Sequence, residues 1–156
     1  MANIKLGDLD DWLKRELGMV LKKATSEREL KQLGEKTTKR VHDRIKKGYG
    51  VKRDGAQEER LKPLAGSYVE QRKRMSLHPS TSPSKSNLTQ TGEMLGDLTY
   101  EVAIGHLTIK YKTAESKTKA KHVSKKRPHM HLSADEIEDF AEDLDNVVAR
   151  LIKRMR

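Results

Sequence analysis

Three histidines, a run of lysines and a row of carboxylates are the residues in this 156-residue chain best equipped for chemistry. His129 and His131 flank Met130. Alternate residues of an extended segment point to the same side, so two imidazoles there could converge on a metal ion. A third fixed ligand is missing, because His122 sits among lysines that would repel a cation. The three are therefore read as solvent-exposed histidines near a helix start, and no metal ligand is assigned. Glu138 and Glu142 lie one helical turn apart, where two carboxylates could divide general acid and base work. Asp135, Asp139 and Asp145 crowd the same stretch, which is the pattern of a solvated helix face. Ser67, Ser76 and Ser133 have no nucleophile-elbow context, and no glycine-rich phosphate loop occurs. The sequence points to a protein that is not an enzyme, with no catalytic residues and no cofactor.

The lysines are the stronger signal. Lys117, Lys119, Lys121, Lys125, Lys126 and Arg127 face a single nearby acid, Glu115, in a chain whose formal net charge is +10. Such a stretch suits sequence-blind, salt-sensitive contact with phosphates. It suits equally well docking on an acidic protein surface, such as a neighbour's residues 135–145. An aromatic content of 4% argues against base stacking, and no helix-turn-helix, zinc-finger or ribonucleoprotein motif is present. Lacking apolar residues, the whole segment 113–127 is expected not to order itself.

The elements that must position these groups follow from periodicity. Leu6, Leu9, Leu13, Leu17, Val20 and Leu21, with Trp12, predict an amphipathic helix to about Ala24. Ser26 and Glu29 form a capping box that opens a second helix, stopped by Gly48, with Leu30, Leu33, Val41 and Ile45 on its thin apolar stripe. Residues 48–60 read as a loop. Pro63 suits the first turn of a short helix over residues 64–75, and residues 76–86, with two prolines among serines, read as a flexible connection. Thr91 is the expected N-cap of a turn carrying Met94, Leu95 and Leu98. Tyr100, Val102 and Ile104 then alternate as a strand, Gly105-His106 turns it, and Leu107, Ile109 and Tyr111 return. Ser133 and Glu136 make a second capping box before a long helix whose stripe is Ile137, Phe140, Leu144, Val147, Val148, Leu151 and Ile152.

The fold class is therefore α+β, with N-terminal helices, a small antiparallel hairpin in the middle and a long C-terminal amphipathic helix. Residues 1–47 form a helical region and 48–156 an α+β region with loops at 76–86 and 113–127, together one compact domain. Charged residues (36%) outnumber apolar ones (34%), so the core is modest, and the absence of cysteine leaves packing or assembly to hold it. With acids in the opening MANIKLGDLDDW and no apolar run of about 20 residues, the expectation is a soluble cytoplasmic protein.

Taken in order, Leu61-Lys62-Pro63-Leu64-Ala65 with Tyr68 and Arg72-Lys73, then Leu88-Thr89-Gln90-Thr91-Gly92-Glu93-Met94-Leu95, then the hairpin, then Arg127-Pro128 with Leu132-Ser133 and Asp135, form a recognisable series. It resembles the virion-morphogenesis proteins of tailed phages, a broad family of tail-completion and neck proteins. The resemblance runs from Leu61 to the C-terminus, with His129 where the family carries an aromatic. It implies a structural virion protein of the head-to-tail junction, made in the host cytoplasm and acting as a homo-oligomeric ring. Its partners would be other neck, portal-adaptor or tail proteins, with non-specific contact to DNA in the channel and no membrane. Tyr100, Val102, Ile104, Leu107, Ile109 and Tyr111, with the last helix, would form the subunit contact. The lysine arm, Lys117 to Arg127, would bind partners and order on assembly. The alternative is a basic DNA-binding accessory protein that uses the same arm.

Overall fold

The computed structural model describes residues 27–51, 57–103 and 106–154. The expected helix over residues 6–24, the Ser26 end of the first capping box and Ile104-Gly105 lie outside them. The described elements run α1 (Glu27–Lys47), β1 (Tyr49–Val51), β2 (Glu58–Arg60), α2 (Gly66–Lys73), α3 (Glu93–Gly96), β3 (Leu98–Ala103), β4 (His106–Tyr111), α4 (Ala114–Ser124) and α5 (Ala134–Arg154). The class is α+β, with two separate two-stranded antiparallel sheets.

Helix α1 is the spine. Leu33, Thr37, Val41, Arg44 and Ile45 recur at three- and four-residue spacing and are all buried, so one narrow face carries the packing. Gly48 ends the helix with φ 94°, a left-handed conformation that glycine adopts without penalty, and its N–H closes on the Ile45 carbonyl. The core gathers Val41 and Ile45 with Met94, Leu95, Leu98, Tyr111 and Ala120, while Leu88, Ile109, Met130 and Leu132 pack at its margin.

In the β3–β4 hairpin Leu98 lies opposite Tyr111 and Tyr100 opposite Ile109. This face turns toward α1, where the Tyr100 ring lies directly over Gly34. Tyr111 is buried and Ile109 is packed against the core. Tyr111 and Ile109 thus contribute to the monomer's own core, while Tyr100 is half-buried against α1. The side chains of Val102, Ile104 and Leu107 lie outside the described residues.

Four local expectations also change, each because a tertiary contact outweighs a local preference. Residues 48–60 are not merely a loop, since Tyr49–Val51 pairs with Glu58–Arg60 and buries Val51 and Leu61. The helix expected from Pro63 begins only at Gly66, because the Arg127 guanidinium holds the carbonyls of Lys62 and Pro63 at 3.2 Å each. Gly92, at φ 83°, and not Thr91, caps the single turn α3, with the His78 ring occupying the space a Cβ would need. Residues 76–86 are irregular but tied down: Arg72 donates to the Lys85 carbonyl and the Thr81 hydroxyl, and Thr81 donates to Asn87 at 2.7 Å.

The largest revision concerns residues 113–127, expected to be an unordered arm. Residues 114–124 form α4. Thr113 caps it by accepting from the Ser116 N–H at 3.2 Å, and the Asp97 carboxylate accepts from both the Thr113 and Ser116 hydroxyls. Those two bonds hold Asp97 below the usual carboxylate range. Ala120 then enters the core, and Glu115 pairs with Lys119 one turn on at 2.8 Å. A lysine-rich helix is thus fixed by one cap and one small buried residue.

Two substitutions test this packing. Ile45→Ala should lower stability by about 2–5 kcal/mol in a denaturant titration, the usual range for such a core truncation. Gly34→Ala, although it favours helix in isolation, should lower the melting temperature, because the added methyl meets the Tyr100 ring.

Candidate functional site

A buried polar network joins the ends of the described chain. Arg44, 4% exposed, donates from Nε to Glu136 Oε1 at 2.8 Å and from Nη2 to the His129 and His131 carbonyls at 3.2 and 2.8 Å. Glu136 in turn accepts from the Ser133 N–H at 2.9 Å, while the Ser133 hydroxyl accepts from the Glu136 N–H at 3.2 Å. The expected capping box at α5 is present, and its glutamate carries a second duty as counter-ion to Arg44. The capping pattern was legible in the sequence, but nothing local marked Arg44 as its partner beyond its place on the same stripe as Val41 and Ile45.

His129 is not solvent-exposed, which corrects the expectation: its exposure is 0%. Its Nδ1–H points at the Arg127 carbonyl at 2.9 Å, leaving Nε2 to accept from the Tyr111 hydroxyl at 3.0 Å. Desolvation, supported by the nearby Arg44 charge, pushes the imidazole below its ordinary value, so it is neutral at physiological pH. Burial likewise pushes the Tyr111 phenol upward. His122 and His131 are exposed. Among the described residues, no group of three or more histidines or acids could hold a metal ion.

The remaining charges sort onto two helix faces. On α5, Asp143 takes ion pairs from Lys36 at 2.6 Å and Arg40 at 2.9 Å, and Asp139 pairs with Arg40 at 3.0 Å. Partial burial would raise the Asp143 pKa, but bonding to Lys36 and Arg40 prevails and holds it low. Asp135, Glu138, Glu142 and Asp145 are exposed and make no ion pair among the described residues. Along α4 and its C-cap, Lys117, Lys121 and Lys125 recur every fourth position as an exposed stripe that makes no ion pair among the described residues; Lys126 is also exposed. Lys119 and Arg127 belong to a different side, the first paired with Glu115 and Glu93 and the second bound to Lys62 and Pro63. The six basic residues singled out by composition are therefore not one surface.

Between those charges runs apolar surface. Ile137, Leu144, Val148 and Ile152 are spaced to share a face of α5, with Ile137 and Ile152 51% and 52% exposed. Phe140 is half-buried, and Val147 is buried. The last helix was expected to spend its stripe on the core. It spends only part of it. Among the described residues no helix is long and apolar enough to cross a membrane.

The polar network carries two predictions. Arg44→Met strands a buried carboxylate and should cost about 3–5 kcal/mol, whereas pairing it with Glu136→Gln should recover part of the loss in a double-mutant cycle. The depressed folded-state pKa of His129 means the unfolded chain binds the extra proton first. Stability should hold above 6.5, the ordinary histidine value, and decline as pH falls below it. His42, lowered by burial and by Lys46, adds in the same direction. Melting curves between neutral and mildly acidic pH should flatten in His129→Phe.

No protein-family model, curated protein or solved structure matches this chain.

Proposed function

We propose that this protein is a structural subunit of the tailed-phage head-to-tail junction, a neck, tail-completion or tail-terminator protein that works by ring assembly and docking and not by catalysis. The motif series from Leu61 onward suggests the family. The observation that carries the assembly is the pairing of two unspent helix faces: Lys117, Lys121 and Lys125 on α4, and Glu138, Glu142 and Asp145 on α5. Neither face makes an ion pair among the described residues. Faces of opposite sign on two different helices favour a heterologous, head-to-tail contact, the type that closes into a ring when the rotation allows. The half-open Ile137 to Ile152 stripe on α5 supplies the apolar area such a contact needs. The outer edges of the two-stranded β3–β4 sheet offer backbone groups for further pairing. Partners would be copies of this chain and the neighbouring neck, portal-adaptor or tail proteins.

Two charge-reversed proteins test the contact. Lys117→Glu, Lys121→Glu, Lys125→Glu in one, and Glu138→Lys, Glu142→Lys, Asp145→Lys in the other, should each remain monomeric in mass photometry with near-parental melting temperatures. Mixed together they should assemble, since each then offers the sign the other lost. Parental protein that stays strictly monomeric with every virion protein tried would refute the reading. The exposed α4 lysine stripe also favours a DNA-binding accessory protein. In that case binding to duplex DNA should fall with a salt slope of roughly 0.9 per phosphate contacted, and the mixed variants should not assemble.

A further inference from the structure

One cavity lies away from the unspent faces. Helix α2, residues 85–94 and the inner side of α4 enclose about 410 Å³, within the range of small-ligand pockets. Arg72, Lys85, Lys119 and Arg127 line it, against one carboxylate, Glu93. Lys119 reaches Glu93 at 3.5 Å. The guanidiniums are a different matter. Arg72 is 3% exposed, yet it bonds only to a carbonyl and a hydroxyl, and its Nε has no hydrogen-bond partner among the described residues. Arg127 likewise bonds only to carbonyls. A buried cation is normally matched by an anion, yet no carboxylate of the described residues pairs with Arg72, nor with the half-buried Arg127. Both are held in place by those neutral acceptors, so an incoming anion would find them already oriented.

The rest of the lining decides what kind of anion. Tyr68, Leu88 and Val123 form an apolar wall beside the cations, which an inorganic anion would leave uncovered. One face of the Tyr68 ring is already taken by the Arg72 guanidinium, 5.9 Å from its centroid, which leaves at most the other for a nucleobase. We infer that the cavity takes the end of a peptide chain, a free C-terminal carboxylate beside the arginines with an apolar last side chain against Tyr68, Leu88 and Val123. This site is separate from the proposed contact between copies, and a strict monomer would keep it.

The probe is N-acetyl-alanyl-leucyl-leucine, compared with its C-terminal amide by NMR titration of the full chain. The acid should bind about tenfold more tightly than the amide, as expected for one charge-assisted contact, and shift resonances of Tyr68, Leu88 and Val123. Lys85→Gln with Lys119→Gln, both exposed side chains, should weaken the acid about fivefold while leaving the amide and the melting temperature unchanged. Equal binding of acid and amide would overturn the inference, as would parental affinity of Arg127→Gln for the acid. Displacement of the peptide by a short thymidine oligonucleotide would assign the cavity to nucleic acid instead.

Discussion

Arg44 is the residue on which the rest of the structure depends. A guanidinium with 4% exposure is tolerable only when its charge is matched, and here a carboxylate meets Nε and two backbone carbonyls meet Nη2, while Nη1 has no partner among the described residues. Because Glu136 also caps α5, one ion pair fixes the axial position of two 21-residue helices and the path of residues 129–131 between α4 and α5. A salt bridge of this kind adds little to stability compared with a well-packed apolar replacement. What it supplies is register, since sliding either helix by a turn would bury two unmatched charges. His129 reinforces that register from beneath, neutral and bonded through both ring nitrogens to Tyr111 and the Arg127 carbonyl.

With the helices so placed, a lean core suffices. The hairpin spends Tyr100, Ile109 and Tyr111 on α1, and α4 closes the other side with Ala120. The charged residues are left outside and divide by use. Some, such as Asp143 with Lys36 and Arg40, hold α5 on α1. Others pair with nothing among the described residues, and they are separated by sign onto the helices α4 and α5.

Much of the frame was legible in the sequence because its signals are local. The leucine and valine spacing of α1, the glycine at position 48, the alternation through Tyr100 and Tyr111 and the Ser133 to Glu136 capping box each depend on residues within one or two turns. Where tertiary contacts decide, local signals failed. The lysine content of residues 113–127 suggests disorder, but Asp97, sixteen residues before Thr113, organises the cap of α4. Likewise Pro63 is a good first helical residue until Arg127 takes its carbonyl. His129 looked like surface chemistry for the same reason, since burial of a single histidine leaves no periodic trace. The two arginines of the cavity were invisible as a pair, for their common feature is that no carboxylate among the described residues pairs with them.

The span between Arg44 and Glu136, 92 positions, has a temporal meaning as well. A ribosome adding roughly 5–20 residues per second leaves α1 without its counter-ion for about 5–20 s after Arg44 is made. Through that interval Val41 and Ile45 gain their cover from residues 94–120, while Leu33 and the Arg44 side chain still lack α5. Completion of the spine therefore waits on the helix that carries Glu136, and the order of events in translation sets when the Arg44 charge is matched.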